Sequence, residues 1–173
     1  QSLQVVDFLR IDATKANPGS LGCSISHNRA LAAWESSKER MLMICEDDVA
    51  FRAPRLAIDS VIEEFFAHPK FSVLCLGNNS SHWVRVSEQL GVSADIKTTS
   101  CYVVKGEVVR PLICAAEQSV RMLRDGVSAK RAAFDEVWKS VQQTHFFVVP
   151  VMRMVEQRPG YSDIERKHTA YGV

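Results

Sequence analysis

The chain has 173 residues, a formal net charge of +1, 46% hydrophobic residues and 24% charged residues. This length suits one sizeable core, so residues 1–173 are treated as a single domain. A charge near zero gives no reason to expect nucleic acid as a partner. No apolar run approaches the roughly 18 residues of a membrane span, so we expect no transmembrane segment.

Strands and helices are predicted to alternate along the chain. Strands are predicted over residues 3–11, 41–45, 71–76, 82–86, 98–104 and 146–151. Helices are predicted over about 21–40, 58–66, 106–124 and 134–141, and from residue 156 onward a polar loop or tail is expected. The alternation predicts an α/β fold, a three-layer α/β/α sandwich around a mostly parallel sheet.

The five cysteines form neither a CxxC motif nor a sequence cluster with histidine, so zinc is not expected. Most of them lie in apolar stretches, which predicts reduced and buried thiols and favours an intracellular compartment. We expect a cytoplasmic protein. Peripheral association with a membrane stays open, and the endomembrane lumen is the less favoured location.

Three consecutive acids, Glu46, Asp47 and Asp48, follow the predicted strand 41–45. Two like charges about 5 Å apart cost roughly 3 kcal/mol at an effective dielectric of about 20, and a bound cation removes that cost. Oxygen ligands suit Mg²⁺ or Mn²⁺, and ligands bind at the carboxyl ends of strands in open α/β sheets. The triplet therefore predicts a divalent-metal site for a phosphorylated ligand, and a solvated acidic turn is the alternative.

In an extended strand, Glu46 and Asp48 point to one side and Asp47 to the other. We therefore expect Asp48 to be the most direct metal ligand and Glu46 to assist it or to hold the ribose of a donor. Asp47 either replaces them or caps the next turn. His168, in the polar C-terminal segment, is a candidate to complete the metal shell, with a solvated tail as the alternative.

Other polar residues have both a functional and a structural interpretation. Asp135 is a candidate general base, and a helix N-cap is its alternative. His27 and Ser26 are candidates to contact a sugar or to orient an acid, but a satisfied histidine near the core explains His27 equally well. Arg158 is a candidate to close over a diphosphate, with a solvated tail residue as the alternative. Asn78 either lines an acceptor pocket or serves a turn.

Five fragments in order resemble glycosyltransferase family 25, which includes bacterial lipopolysaccharide galactosyltransferases and procollagen galactosyltransferases. The fragments are Gly22-Cys23-Ser24-Ile25-Ser26-His27, Glu46-Asp47-Asp48, Thr98-Thr99-Ser100-Cys101-Tyr102-Val103-Val104, Phe134-Asp135 and Ser162-Asp163-Ile164. The family's opening strand, which packs against the uracil and ribose, has no counterpart in the sequence. Either this strand lies outside the numbered residues, or the protein has lost tight binding of the donor.

The resemblance implies a GT-A fold and an inverting transfer of galactose or glucose from a UDP-hexose to a glycan or glycoprotein acceptor, with Mn²⁺ or Mg²⁺ as cofactor. Lipopolysaccharide biosynthesis is one setting that it suggests. The candidate roles assigned from the residue chemistry beside this resemblance are Asp135 as catalytic base, Asp48, Glu46 and His168 at the metal, Glu46, Asp47, Ser26, His27 and Arg158 at the donor, and Asn78 and Thr99 at the acceptor.

Two other functions remain open from the sequence. The same acids would serve another metal-dependent nucleotidyl or phosphoryl enzyme on an α/β sheet. The missing opening strand favours a non-catalytic relic that binds a glycan or a partner protein.

Overall fold

The computed structural model describes residues 8–35, 39–162 and 167–169. The helices of this part are α1 (Gly19–Glu35), α2 (Arg55–Ala67), α3 (Gly106–Arg124), α4 (Ala129–Ala132), α5 (Phe134–Val137) and α6 (Lys139–Gln142). The strands are β1 (Met41–Cys45), β2 (Val49–Phe51), β3 (Phe71–Cys75), β4 (Val84–Arg85), β5 (Leu90–Ser93), β6 (Cys101–Lys105), β7 (Phe146–Pro150), β8 (Val155–Gln157), β9 (Gly160–Ser162) and β10 (Lys167–Thr169).

A six-stranded sheet in the order β1-β6-β3-β7-β5-β4 forms the centre of the molecule. Of its neighbouring pairs, β3 and β7 are parallel and the other four are antiparallel. The mixed α/β class is confirmed, but the expectation of a mostly parallel sheet is wrong. The chain between β3 and β6 contains only short strands and loops, so it lacks the helical crossover that a parallel pairing needs.

The strand directions nevertheless bring several carboxyl ends to one edge of the sheet. Strand β1 is antiparallel to β6, and β6 is antiparallel to β3, so β1, β3 and β7 run in the same direction. Their carboxyl ends therefore meet at the edge where β6 begins. This edge carries the residues that follow β1, including the three acids.

Helices cover both faces of the sheet because successive strand residues point to opposite sides. On one face Val73, Tyr102 and Val104 pack with the buried residues of α1, α3 and α5. On the other face Leu74 and Val103 pack with α2. In the predicted helices 58–66 and 106–124, apolar residues recur at the spacing of one helix face, and those of α2 and α3 are buried, namely Ile58, Val61, Ile62, Phe65, Val109, Leu112, Ile113 and Ala116.

Several predicted boundaries are corrected by the structure. Residues 8–11 of the predicted first strand belong to no strand or helix, and the earlier part of that prediction lies outside the described residues. The predicted tail contains β8, β9 and β10, of which β8 pairs with β2 and β9 pairs with β10. The polar stretch before residue 98 contains β5, which the sequence did not predict because its Gly91 interrupts the apolar run.

Pro111 is the sixth residue of α3, although proline is best tolerated in the first turn of a helix. Of the helices described, none combines the length and the apolar character needed to cross a bilayer.

Candidate functional site

The three acids lie in a tight turn rather than in a strand. The backbone N–H of Glu46 donates to the carbonyl of Ser100 at 2.8 Å, and the N–H of Val49 donates back to the carbonyl of Glu46 at 3.3 Å. Because this turn joins β1 to β2, the alternation of side chains along an extended strand does not decide where the three acids point. Asp47 is exposed in this turn, whereas Glu46 and Asp48 are half-buried.

Gln157 brings the carboxylates of Glu46 and Asp48 to one point. Strand β8 pairs with β2 so that Gln157 lies opposite Val49, directly after the acidic turn. The side-chain Nε2 of Gln157 lies 3.4 Å from Oε2 of Glu46 and 3.4 and 3.2 Å from the two carboxylate oxygens of Asp48. The two carboxylates therefore face the same small volume. The sequence predicted this from the alternation of a strand, whereas the turn and Gln157 bring it about.

The other carboxylate oxygen of Glu46 is held by two side chains from different elements. Oε1 accepts a hydrogen bond from the Thr99 hydroxyl at 3.1 Å and lies 3.3 Å from Nε2 of His27. Nδ1 of His27 lies 3.0 Å from the hydroxyl of Tyr102 in β6. His27 is thus both a satisfied buried histidine and a residue that orients an acid, so the two interpretations left open by the sequence apply together.

His27 and Glu46 shift each other's protonation. Burial alone lowers the pKa of His27, but the neighbouring Tyr102, Cys23 and Glu46 outweigh it and raise that pKa well above its usual value. Burial raises the pKa of Glu46, but the hydrogen bond and charge of His27 outweigh it, so the net pKa of Glu46 is lowered. The pair is therefore held in its charged form, His27 as imidazolium and Glu46 as carboxylate.

Asp48 carries an excess of negative charge around it. Burial is the main cause of its raised pKa, and the charges of Glu46 and Asp47 add to it, against the hydrogen bond from Gln157. Arg158 does not offset this excess directly, because its guanidinium donates to the backbone carbonyls of Asp47 at 2.6 Å and Asp48 at 3.4 Å. Two converging carboxylates, one of which (Asp48) has a raised pKa, are a donor set that fits Mg²⁺ or Mn²⁺.

A second group of potential ligands lies on the other side of Glu46. Cys23, His27 and Glu46 bring one ligand atom each within 4.8 Å of one another, and no further group of three meets this criterion among the described residues. The sequence did not predict this cluster, because Glu46 joins the helical pair Cys23 and His27 only through the fold. Sulfur, imidazole and carboxylate ligands suit Zn²⁺ better than Mn²⁺, but both ring nitrogens of His27 already have hydrogen-bonding partners.

Asp135 lies in the first turn of α5, and Ala133 occupies the N-cap position. The N-cap alternative for Asp135 is therefore wrong. Burial, the charge of Glu136 and the charge of Glu46 raise the pKa of Asp135 to about 6. The carboxyl groups of Asp135 and Glu46 therefore interact electrostatically. The preceding Phe134 has its ring centroid 5.4 Å from that of His27, which ties α5 to the site.

Ser26 and Thr99 support the structure around the site through specific bonds. The hydroxyl of Ser26 donates to the carbonyl of Gly22 at 2.8 Å and accepts from the N–H of Thr14 at 3.0 Å. Ser26 therefore fixes the loop before α1, and the structure does not bring it to the carboxylates. Thr99, predicted at the acceptor, instead donates to Glu46.

Asn78 lies after the carboxyl end of β3, and His168 lies in the pair of strands β9 and β10. Asn78 is half-buried and lines an open pocket of about 430 Å³ with Trp83 and Arg153 among its neighbours. His168 is exposed in β10, opposite Tyr161 of β9, and it is not a member of the compact ligand group described above.

Sequence reasoning missed Gln157 and Tyr102 as members of the site. Tyr102 lies within the fragment used for the resemblance, but its apolar surroundings predict only a buried strand residue. Gln157 carries no signal of its own, since its position depends on the pairing of β8 with β2. No protein-family model matches the chain, and a search of the curated proteins finds no match.

Proposed function

We propose that the protein is a metal-dependent glycosyltransferase of the GT-A type. In this proposal it transfers galactose or glucose from a UDP-hexose to a glycan or glycoprotein acceptor with inversion, in a three-layer α/β/α fold. The observation that carries the proposal is the convergence of Glu46 and Asp48 on Gln157, with the half-buried Asp135 close enough for the charge of Glu46 to raise its pKa. A cytoplasmic location, with lipopolysaccharide as one acceptor class, belongs to the same proposal.

Asp48 and Glu46 are the residues that would hold Mn²⁺ or Mg²⁺. When bound, such an ion supplies positive charge for the diphosphate that leaves the sugar. The amide of Gln157 lies beside both carboxylates. Because this amide is neutral, it can turn away when a cation binds without leaving an unpaired charge of its own. Thr99 and His27 keep Oε1 of Glu46 in place, so that only Oε2 faces the volume shared with Asp48.

Asp135 is the proposed general base. An inverting transfer needs a group that takes the proton of the acceptor hydroxyl as the new glycosidic bond forms. A pKa of about 6 suits this role, because the carboxylate is mostly ionised near neutral pH and is a stronger base than an ordinary aspartate. Its accepting atom is a carboxylate oxygen at the start of α5.

The remaining contacts divide between donor and acceptor. Asp47 and Arg158 are proposed at the donor because Asp47 is exposed and Arg158 is anchored on the same turn. Asn78 is proposed at the acceptor because it lines an open pocket beside the carboxyl end of β3. Thr99 and Ser26 are proposed to act indirectly. Thr99 holds the carboxylate of Glu46, and Ser26 holds the loop before α1. His168 stays a proposed metal ligand only because of its place in the polar C-terminal segment.

The experiment is a nucleotide-release assay with UDP-glucose and UDP-galactose, Mn²⁺, and glycan acceptors. We expect UDP release that depends on Mn²⁺ and rises when acceptor is present, and we expect Asp48→Asn to lower it at least about 100-fold. Asp125→Asn, an exposed acid at the end of α3, is the matched control and should keep the rate.

The other outcomes distinguish the competing functions. Release that is unchanged by acceptors would indicate a phosphoryl or nucleotidyl enzyme. No release, together with no calorimetric binding of UDP in the presence of Mn²⁺, would indicate a non-catalytic binding protein and would contradict the proposal.

A further inference from the structure

Two cysteines face each other on the neighbouring strands β1 and β6 of the sheet. The register of β1 and β6 places Cys45 directly opposite Cys101. The N–H of Glu46 donates to the carbonyl of Ser100, so the next pair along the ladder is the hydrogen-bonded one. Cys45 and Cys101 therefore form a non-hydrogen-bonded pair, in which the Cα atoms approach to about 4.5 Å.

The side chains of this pair are close to disulfide geometry. The Sγ atoms of Cys45 and Cys101 are 3.3 Å apart. A disulfide needs an S–S distance of about 2.05 Å and tolerates a Cα separation of about 4.4–6.8 Å. A small side-chain rotation is therefore enough to join the two sulfurs, and the strands do not have to separate.

The two thiols differ in access, which gives each of them a distinct part in the reaction. Cys45 is exposed, whereas Cys101 has 0% exposure. A small reagent in solution therefore reaches Cys45 first. Cys75 does not compete as a partner for Cys101, because it packs with Tyr102 on the opposite face of the sheet from Cys101.

We propose that Cys45 and Cys101 form a redox-active dithiol that exchanges with small-molecule disulfides such as glutathione disulfide. The sulfur of Cys45 attacks one sulfur of the reagent, which breaks the reagent's S–S bond and releases one glutathione. The sulfur of Cys101 then attacks that of Cys45 and releases the second glutathione. Two protein thiols are oxidised to one disulfide, one glutathione disulfide is reduced, and the two thiol protons end on the two glutathione molecules.

The position of the pair links this chemistry to the candidate site. Cys45 directly precedes Glu46, and Cys101 directly follows Ser100, whose carbonyl holds the N–H of Glu46. The disulfide therefore joins the two backbone segments that carry Glu46 and its partner Thr99. The proposal goes beyond the proposed transfer reaction and stands on the thiol geometry alone.

The test is peptide mapping of the folded wild-type chain after treatment with glutathione disulfide, acid quenching and alkylation of the remaining thiols. We expect one internal disulfide that joins Cys45 and Cys101 and that dithiothreitol reverses. The exposed Cys114 should instead carry a stable glutathione adduct, because no facing thiol is available to resolve it.

Two variants identify the part of each thiol. In Cys101→Ser, Cys45 should be trapped as a stable mixed disulfide with glutathione, whereas Cys114→Ser, the matched control, should still form the internal bond. The proposal is overturned if wild-type Cys45 keeps its glutathione while Cys101 remains alkylatable, or if Cys45 does not react at all. Because the decisive measurement is made on wild-type protein, misfolding of a variant would not affect it.

Discussion

The side-chain amide of Gln157 lies 3.2 Å from the nearer carboxylate oxygen of Asp48, although 109 positions separate the two residues in the chain. The same nitrogen lies 3.4 Å from Glu46. One neutral amide thus lies between two carboxylates that would otherwise repel each other at short range. A substitution of Gln157 should therefore change how strongly Glu46 and Asp48 bind a cation.

Replacement of Gln157 by Glu tests the cation directly. A third carboxylate adds like-charge repulsion, so in the presence of a chelator we expect Gln157→Glu to destabilise the fold by about 1–3 kcal/mol. Mn²⁺ should reverse this loss and stabilise the variant more than it stabilises the wild type. Thermal unfolding with and without Mn²⁺ measures both effects. Gln118→Glu, on the exposed side of α3, is the control and should respond little to Mn²⁺.

If Mn²⁺ leaves the unfolding temperature of Gln157→Glu unchanged, then Glu46 and Asp48 do not form a cation site. The stability loss alone would then reflect only charge repulsion within the turn.

Asp135→Asn should increase stability and abolish transfer together. The folded-state pKa of Asp135 is raised from 3.8 to about 6, so the folded state binds the proton more tightly than the unfolded state. The contribution of Asp135 to stability is therefore highest below about pH 4 and falls as the pH rises to about 6, by up to about 3 kcal/mol. The amide variant lacks this loss, so at pH 7 it should unfold at higher denaturant than the wild type.

Denaturant unfolding at pH 4 and pH 7 measures this difference, which should be small at the lower pH. Glu63→Gln, an exposed carboxylate on α2, is the control and should show no comparable pH dependence. A rate of transfer that rises with pH through about 6 and is lost in Asp135→Asn would identify the base. Retention of the rate by this variant would remove Asp135 from the reaction.

His27→Gln should weaken the fold most within a limited pH window. The raised pKa of His27 gives a stabilisation that is present below its usual value of 6.5 and is lost as the pH rises through the raised pKa. The lowered pKa of Glu46 gives a stabilisation that is present above its usual value of 4.5 and is lost as the pH falls through the lowered pKa. The difference between wild type and variant should therefore be largest between about pH 4.5 and 6.5.

Chemical denaturation across this range is the measurement, with His82→Gln on the exposed loop as the control. A difference that stays constant from acid to alkaline pH would show that His27 acts through packing and neutral hydrogen bonds alone.

Gly22→Ala should destabilise the protein, contrary to the usual effect of this change in a helix. An added Cβ at residue 22 would lie 2.1 Å from the carbonyl oxygen of Thr14, where the preceding loop crosses α1. The ordinary gain of about 1 kcal/mol from Gly to Ala in a helix is therefore outweighed by a steric cost of about 1–3 kcal/mol or more. Thermal unfolding is the measurement.

Gly106→Ala is the matched control, because its Cβ would meet Trp34 at 3.5 Å, an ordinary contact. Equal stability effects of the two variants would indicate that the loop moves aside at no cost.

Local sequence patterns were sufficient for the elements with strong periodicity. The apolar spacing of α2 and α3 and the short apolar runs of β1, β3 and β7 lie close to where they were predicted. The acidic turn was located correctly at the end of β1, but its conformation was not, because three acids after a strand do not specify whether the strand continues. The hydrogen bonds to Ser100 and from Val49 close the turn.

Strand order and long-range pairing lay outside the reach of local patterns. The helix and strand alternation fits both parallel and mixed sheets. The sheet is mostly antiparallel because β6 lies between β1 and β3 and because β5 pairs with β7 and β4. The polar segment after Glu156 gave no sign of β8, because the three-residue strand is stabilised by its partner β2 rather than by its own sequence.

The sequence by itself determined the α/β class, the two strong helical faces and the presence of three acids directly after a strand, although this strand is half-buried at the sheet edge rather than buried. These features depend on residues that are near neighbours in the chain. Only the tertiary structure decided that Gln157 lies between two of those acids, that His27 orients Glu46, and that Cys45 faces Cys101. Each of these contacts joins residues 19 or more positions apart, and their energies depend on how the strands pair, which no local pattern encodes.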